Sequence, residues 1–230
     1  MKKYMILSLM AVLAFAGCEK SEEIPVIRPD AKGTFTDERD GQEYTWVKYR
    51  GLEWMTLNLR YVPTTGTYLP LLVPGDAYDD PENHAYHAEY GFLYSYEAAV
   101  AAVPAGWRIP TDEDWQSLEE AFGMSASDLG SKGDRGEHTG LLMRQDDSGT
   151  GFNLQLGGFI TPRTSTIRLS DLLFNEKSSG LYWSSTLDPE KADGRSRFYR
   201  QIRYNSNQVT RQSMNSEQKL LSVRCVRDAR

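Results

Sequence analysis

The sequence predicts an α+β fold. Three observations carry this: short strand-like stretches cluster at the two ends of the chain, helical patterns lie between them, and no βαβ alternation joins the two kinds of element. About 200 residues, 31–230, are left for this fold once the first 30 are set aside. That is enough for one domain with a sizeable core.

The first 30 residues are read separately. Met1-Lys2-Lys3 is a short positive start, Tyr4 to Phe15 is mostly apolar, and Ala16-Gly17 leads into Cys18. A positive start, an apolar run of about a dozen residues and small residues before a cut site mark a secretory signal. The run is too short to span a membrane, which takes about 20 apolar residues. The stretch ending in Cys18 resembles the bacterial lipobox, which implies cleavage after residue 17 and acylation of Cys18. Several acyl chains hold a protein stably where one holds it marginally, so the partner expected here is a membrane reached through a lipid anchor. Residues 18–30, with Glu19-Lys20-Ser21-Glu22-Glu23 and then Arg28-Pro29-Asp30, are too polar to fold and read as a tether. Acidic residues after a lipidated cysteine also resemble the surface-export signal of Bacteroidetes lipoproteins. The expected location is therefore the outer membrane, facing outward, with a plain periplasmic spacer as the other reading.

In the remaining chain, Gly33 to Arg39 can form a strand, Asp40-Gly41 is a hairpin signal, and Glu43 to Tyr49 can form the returning strand. After Arg50-Gly51, Leu52 to Leu59 can form a third, with Leu52, Trp54, Leu57 and Leu59 inward. From Tyr61 to Glu89 the chain is rich in Pro, Gly and Asp, an irregular excursion of a length that usually serves function. Ser95 to Ala102 reads as a short helix. The clearest helix starts at Thr111, a capping residue followed by Asp112, Glu113 and Asp114; Trp115, Leu118 and Phe122 share one face, and Gly123 ends it. Strand-like pieces follow at Phe152 to Leu156, Leu181 to Ser185, Arg197 to Tyr204, Val209 to Gln212 and Leu221 to Val226. Phe198, Arg200, Ile202 and Tyr204 alternate with their neighbours as one buried and one wet face require.

At this resolution the residues are recognisable. Asp40-Gly41-x-x-Tyr44-x-x-Val47, Gly51-x-x-Trp54-Met55-x-x-Asn58-Leu59, Pro104-Ala105-Gly106-Trp107-Arg108-Ile109-Pro110-Thr111-x-x-x-Trp115, Gly157-Gly158-Phe159, Tyr182-Trp183-Ser184-Ser185-Thr186 and Ser222-Val223-Arg224-Cys225-Val226-Arg227-Asp228 occur in the order of the Fibrobacter succinogenes major paralogous domain family, which the chain resembles. The resemblance implies a C-type-lectin-like fold, in which the chain ends pair around a core and long loops hang off one side. It implies no catalytic set. Trp54, Trp107, Trp115 and Trp183 are expected in the core, because aromatic rings dominate core energetics. Where the family has a cysteine before its Pro-x-Gly-Trp block, this chain has Val103. Cys225 is therefore expected to lack a disulfide partner and to pack beside Val103.

The chemistry that the residues offer is sparse. Cys225 stands alone, against the reactive cysteines of formylglycine-generating enzymes, and no Gly-x-Ser-x-Gly accompanies His84, His87 and His138. His84 and His87 with Glu82 or Glu89 make a poor zinc set. Asp76, Asp79 and Asp80 in the long loop, with Asp146 and Asp147 later, are the weak calcium candidates; the sugar-binding tripeptide of C-type lectins is absent. No cofactor is expected. Loss of Lys2 and Lys3 takes the net charge from −6 to −8, and with no basic cluster this excludes nucleic acid as a partner. The stretch from Arg195 to Asn215 is rich in Tyr, Arg, Asn and Ser, the residues of binding surfaces. The leading expectation is a non-catalytic binding or adhesion module for glycan or surface-protein ligands. Its contacts are expected from Tyr199, Arg203, Tyr204, Asn205 and Asn207, assisted by the Tyr61 to Tyr90 excursion. A polysaccharide-acting enzyme using Asp146 or Glu137, and a structural subunit of a surface assembly, are the alternatives.

Overall fold

The computed structural model describes residues 24–70, 87–144, 149–161, 173–174 and 177–229. Its class is α+β: antiparallel ladders form two four-stranded sheets and two short pairs, with few helices. The first sheet takes β1 (Ala31–Thr36), β2 (Glu43–Tyr49), β3 (Leu52–Met55) and β12 (Val226–Asp228) in that order. β4 (Tyr68–Pro70) pairs with β5 (Phe92–Tyr94), and β7 (Phe159–Ile160) with β8 (Leu173–Phe174). The second sheet is ordered β6 (Gly133–Arg135), β11 (Val209–Asn215), β10 (Ser196–Arg203), β9 (Ser179–Leu187). Among the described residues four helices intervene: α1 (Tyr96–Ala102), α2 (Asp112–Ala121), α3 (Ala126–Leu129) and α4 (Thr139–Arg144).

Local chemistry explains most boundaries. β2 and β3 are joined by Arg50-Gly51, both at positive φ (48° and 78°), the signature of a two-residue turn whose twist matches its strands. α1 is capped by Ser95, whose Oγ accepts the Ala98 N–H at 3.2 Å. α2 carries a reciprocal box in which Thr111 and Asp114 each satisfy the other's backbone N–H. Gly123, at φ 87°, follows its end.

Two aromatic cores lie in this frame. One gathers Tyr44, Met55, Leu59, Tyr94, Trp107, Trp183 and Cys225, with Val103 at its margin. The other gathers Trp54, Trp115, Phe122, Phe152 and Tyr182; Trp54 and Trp115 stand 5.0 Å apart. The four tryptophans expected in the core are there. Cys225 is free and fully buried, and burial pushes its thiol well above the ordinary range.

Two strand expectations change. Phe152 and Leu154 are buried, but the stretch from Phe152 to Leu156 joins no ladder, because its backbone groups are used one at a time. The Phe152 and Asn153 carbonyls accept from Arg224, the Leu154 N–H donates to Met143, and Gln155 O accepts the Tyr182 hydroxyl. The stretch from Leu221 to Val226 is a seam rather than a strand. Leu221 exchanges bonds with Tyr94, the Val223 and Cys225 carbonyls accept from Leu59 and Met55, and Val226 bridges Arg108 before entering β12. The third predicted strand also stops early, at Met55, since Asn58 turns inward. Helices α3 and α4, of four and six residues, are too short to leave a periodic trace.

Arg224 holds this seam. Its guanidinium is fully buried and donates to Asn58 Oδ1 (2.8 Å), Met55 O (3.2 Å), Phe152 O (2.8 Å) and Asn153 O (2.9 Å). These acceptors are neutral, so the charge rests on oriented amide oxygens and on the Phe152 and Tyr182 rings at 5.4 and 5.9 Å. Arg224→Met should leave these oxygens buried without a donor and lower the unfolding free energy by at least about 3 kcal/mol. Arg224→Lys should also be destabilised, because an ammonium lacks the fork geometry. Urea unfolding of the two variants checks both outcomes.

Candidate functional site

The hairpin of β10 and β11 places the residues singled out from sequence. Phe198, Arg200 and Ile202 are buried on one side, while Arg197, Tyr199, Gln201 and Arg203 are half-exposed on the other. The ladder pairs Tyr199 with Gln212 and Trp183, at the margin of the first core. Arg203 lies four residues along the same face, about 13 Å away at ordinary strand rise. It donates to Asp134 Oδ2 at 2.5 Å and to Thr210 Oγ1 at 2.9 Å, so its guanidinium is already engaged. The alternation stops there. Tyr204 leaves the strand and is 60% exposed, and Asn205 and Asn207 are exposed beside it. Tyr204, Asn205 and Asn207 thus share one turn with Arg203 at its base, and Tyr199 stands apart.

This turn is held at three points by its backbone. The Tyr204 N–H donates to Ser178 O (3.0 Å), Asn207 O accepts the Leu141 N–H (3.1 Å), and Ser206 O accepts from Arg144 (3.3 Å). The close approach of α4 depends on Gly140, where any Cβ would come within 2.2 Å of Gln208 O. A small, well-fixed turn therefore carries one aromatic ring and two amides outward.

Behind the hairpin lies a feature that the sequence reading missed. Arg200 and Arg211 are opposite one another in the ladder, both buried, and both reach α2. Asp112 Oδ1 accepts from Arg200 at 2.7 Å and Oδ2 from Arg211 at 2.7 Å; Glu119 accepts from Arg200 at 2.5 Å and from Arg135 at 2.7 Å. Burial works to raise the Asp112 carboxyl, but Arg211 and Arg200 outweigh it and hold it below the usual carboxylate range. Burial likewise works against the Arg200 charge, and Glu119 and Asp112 reverse this, so its pKa is raised. The alternation of β10 did contain a signal. A charged side chain at an inward position requires buried partners, either a counter-charge or a set of oriented oxygens. On the open side of the network, Lys132 bonds Asp188 (2.9 Å) and Glu190 (2.5 Å) at the mouth of a cleft of ≈ 620 Å³ that also includes Thr186, Phe198 and Arg211.

Asp76, Asp79, Asp80, Asp146 and Asp147, with Glu82 and His84, lie outside the described residues. So does Cys18 with the whole leader. Among the described residues, no group of three His, Cys, Asp or Glu side chains is placed to hold a metal ion, and no helix is long and apolar enough to cross a membrane. Glu137 is exposed, next to Arg135 and Gln208 in an open cleft.

The first sheet, with β1 and β12 at its opposite edges, the seam through Arg224 and the hairpin together define an α+β domain organised around its C-terminal segment. Residues 47–227 match the model of the Fibrobacter succinogenes major domain, and the chain belongs to that family. Comparison with curated proteins and with solved structures finds no match. The family match includes Arg224, Arg200 and the hairpin turn, and omits β1 and residues 43–46 of β2.

Asp112 gives a pH test. Its lowered folded pKa contributes stability that is present above its ordinary value of 3.8 and is lost as the pH falls through the folded value. Asp112→Asn should be less stable at neutral pH, and its stability should fall less steeply than that of the wild type on acidification below about pH 4. Thermal unfolding of both proteins across the acid range reads the difference in slope.

Proposed function

We propose that the chain is an outer-membrane lipoprotein, displayed at the cell surface, whose domain is a non-catalytic binding or adhesion module for glycan or protein ligands. The observation that carries this reading is the β10–β11 turn. It presents Tyr204, Asn205 and Asn207 outward on a backbone pinned to Ser178, Leu141 and Arg144. Tyr offers broad, rigid contact area and Asn adaptable hydrogen bonding, and fixing them in advance lowers the entropy cost of association. Arg203 contributes at the base of the turn through charge already shared with Asp134, and Tyr199 belongs to a neighbouring part of the same sheet face.

The lectin-like form of the fold belongs to the same proposal. It is supported by the pairing of β1 with β2 near the start of the domain and of β12 with β3 at its end. The anchor is supported by the sequence around Cys18, and by where the domain begins. Ile27 packs against the second core and the Asp30 N–H donates to Lys48 O at 2.9 Å, so the chain from Ile27 onward is attached to the domain. Only the few residues between Cys18 and Ile27 are left to act as the tether.

Two measurements test the reading. In cells fed a clickable fatty acid, the wild type should carry label and fractionate with membranes, and Cys18→Ser should lose the label. Label retained by that variant would remove the anchor from the proposal. The full chain in detergent should bind a glycan array or whole cells saturably without cleaving the ligand. Tyr204→Ala combined with Asn205→Ala should abolish this binding and leave Tm unchanged, because both side chains are exposed. Unchanged binding would exclude the turn as the contact surface.

A further inference from the structure

The first sheet carries, on one face, a surface that the turn does not use. Directly paired residues of an antiparallel ladder share a face, so Lys48, Glu53 and Arg227 form a row across β2, β3 and β12. Gly33, Trp46 and Met55 form the next row, with Phe35 beyond it in β1. Met55 is sealed under the first core, whereas Trp46 and Phe35 are half-buried at its margin. The Trp46 indole folds back over β1. Its Nε1 donates to Thr34 O at 3.3 Å, and a Cβ at Gly33 would come within 2.5 Å of its Cζ2. Glycine is thus what lets the ring lie on the strand. The other four of the five tryptophans are buried, so Trp46 alone is presented outward.

Arg227 stands beside this ring in an aromatic frame. Its guanidinium lies 4.3 Å from the centroid of the Trp107 ring, 5.9 Å from that of Phe35 and 6.0 Å from that of Trp46. The buried Glu53 carboxylate accepts from its Nε at 2.6 Å, which fixes the plane of the fork. The side chain is only 17% exposed, yet neither Nη has an acceptor among the described residues, and neither is sealed from solvent. A guanidinium held this firmly, with its outer donors unused, is set in advance for a ligand with two adjacent acceptors. Glu53 already compensates its charge, so those acceptors need not be anionic. Lys48, the other cation of the row, stands two strand spacings from Arg227, about 10 Å.

The ligand chemistry that fits is a ring with one apolar face and neighbouring hydroxyls. The C–H groups on the face of a pyranose carry slight positive charge and match the negative face of an indole. Two adjacent hydroxyl oxygens match the Nη pair. We propose that this face of the first sheet binds a neutral sugar residue, stacked on Trp46 with its hydroxyls held by Arg227. The inference goes beyond the β10–β11 turn and does not rest on it, because the two surfaces use different elements. Gly33, Phe35 and Trp46 precede the residues 47–227 that match the family, so the surface is built partly outside the matched region.

The test uses the full chain in detergent and follows acrylamide quenching of tryptophan fluorescence, to which Trp46 is the accessible ring. A neutral oligoglucan or oligomannan should shield Trp46 saturably. Added salt should leave that affinity unchanged, and oligogalacturonate of equal length should bind no more tightly. Measured by calorimetry, Trp46→Ala should weaken binding about tenfold or more. Gly33→Ala, which keeps the ring but displaces it, should weaken binding as well. It sits at an ordinary backbone conformation and replaces Trp46→Ala as the test should that variant fold poorly. Tyr204→Ala combined with Asn205→Ala should leave the shielding intact. Unchanged affinity in a folded Trp46→Ala would overturn the site, as would unchanged affinity in Gly33→Ala if Trp46→Ala does not fold. Tighter binding of oligogalacturonate that weakens with salt would overturn the neutral assignment. Loss of shielding in the Tyr204 and Asn205 variant would move the sugar to the turn and overturn this site. No shielding by either neutral glycan would overturn the inference, while the turn keeps its own test in that variant.

Discussion

The structure depends on one buried guanidinium without a carboxylate. Arg224 gathers oxygens from β3, from the turn after it and from the 152–153 loop, segments up to 169 positions away in the chain. None of those segments pairs with another in a regular ladder at that point, so their carbonyls would be buried without donors if Arg224 were absent. A guanidinium is the one side chain with enough donors in a fixed plane to serve them together. The seam from Leu220 to Val226 can then run through the interior, giving single bridges to Ile160, Tyr94, Tyr182 and Arg108 in place of one long ladder.

The second set of buried charges works differently. Arg135, Arg200 and Arg211 face Asp112 and Glu119, and the interaction seats α2 on the β10–β11 hairpin. Ion pairs in an interior contribute little net stability over apolar packing, because desolvation offsets most of the attraction. What they do contribute is register. A slip of one residue in β10 would turn Arg200 outward and take from Glu119 and Asp112 the cation they share, leaving each with one. The position of the hairpin, and hence of its turn, is set by that requirement. The turn proposed as a contact surface is thus carried by charge pairing at one end and by the Gly140 approach of α4 at the other.

Much of the frame was legible in the sequence. The opening hairpin, Ser95 and Thr111 as caps, Gly123 as a stop, the core tryptophans and the β9–β10–β11 strands all follow from local rules, because caps, tight turns and alternation act over a few residues. The proposed contact residues were legible only as a composition. The chain from Arg195 to Asn215 announces a polar, aromatic surface, but it does not distinguish Tyr199, at a core margin, from Tyr204, exposed in a turn. Nor does it separate Arg203, paired with Asp134, from Arg200, buried against Glu119.

By itself, then, the sequence determined the class of fold, the family, the places where elements start and stop, and an amino-terminal segment that reads as a leader and tether. Those properties come from short-range sterics, backbone hydrogen bonding and apolar periodicity. Only the tertiary structure decided which charges lie inside, why Phe152 to Leu156 forms no strand, and that Arg144 reaches the 204–207 turn. Each of these depends on groups brought together from distant parts of the chain. Whether a charge is buried, and what it then requires as a partner, is a property of the packed neighbourhood and not of the residue.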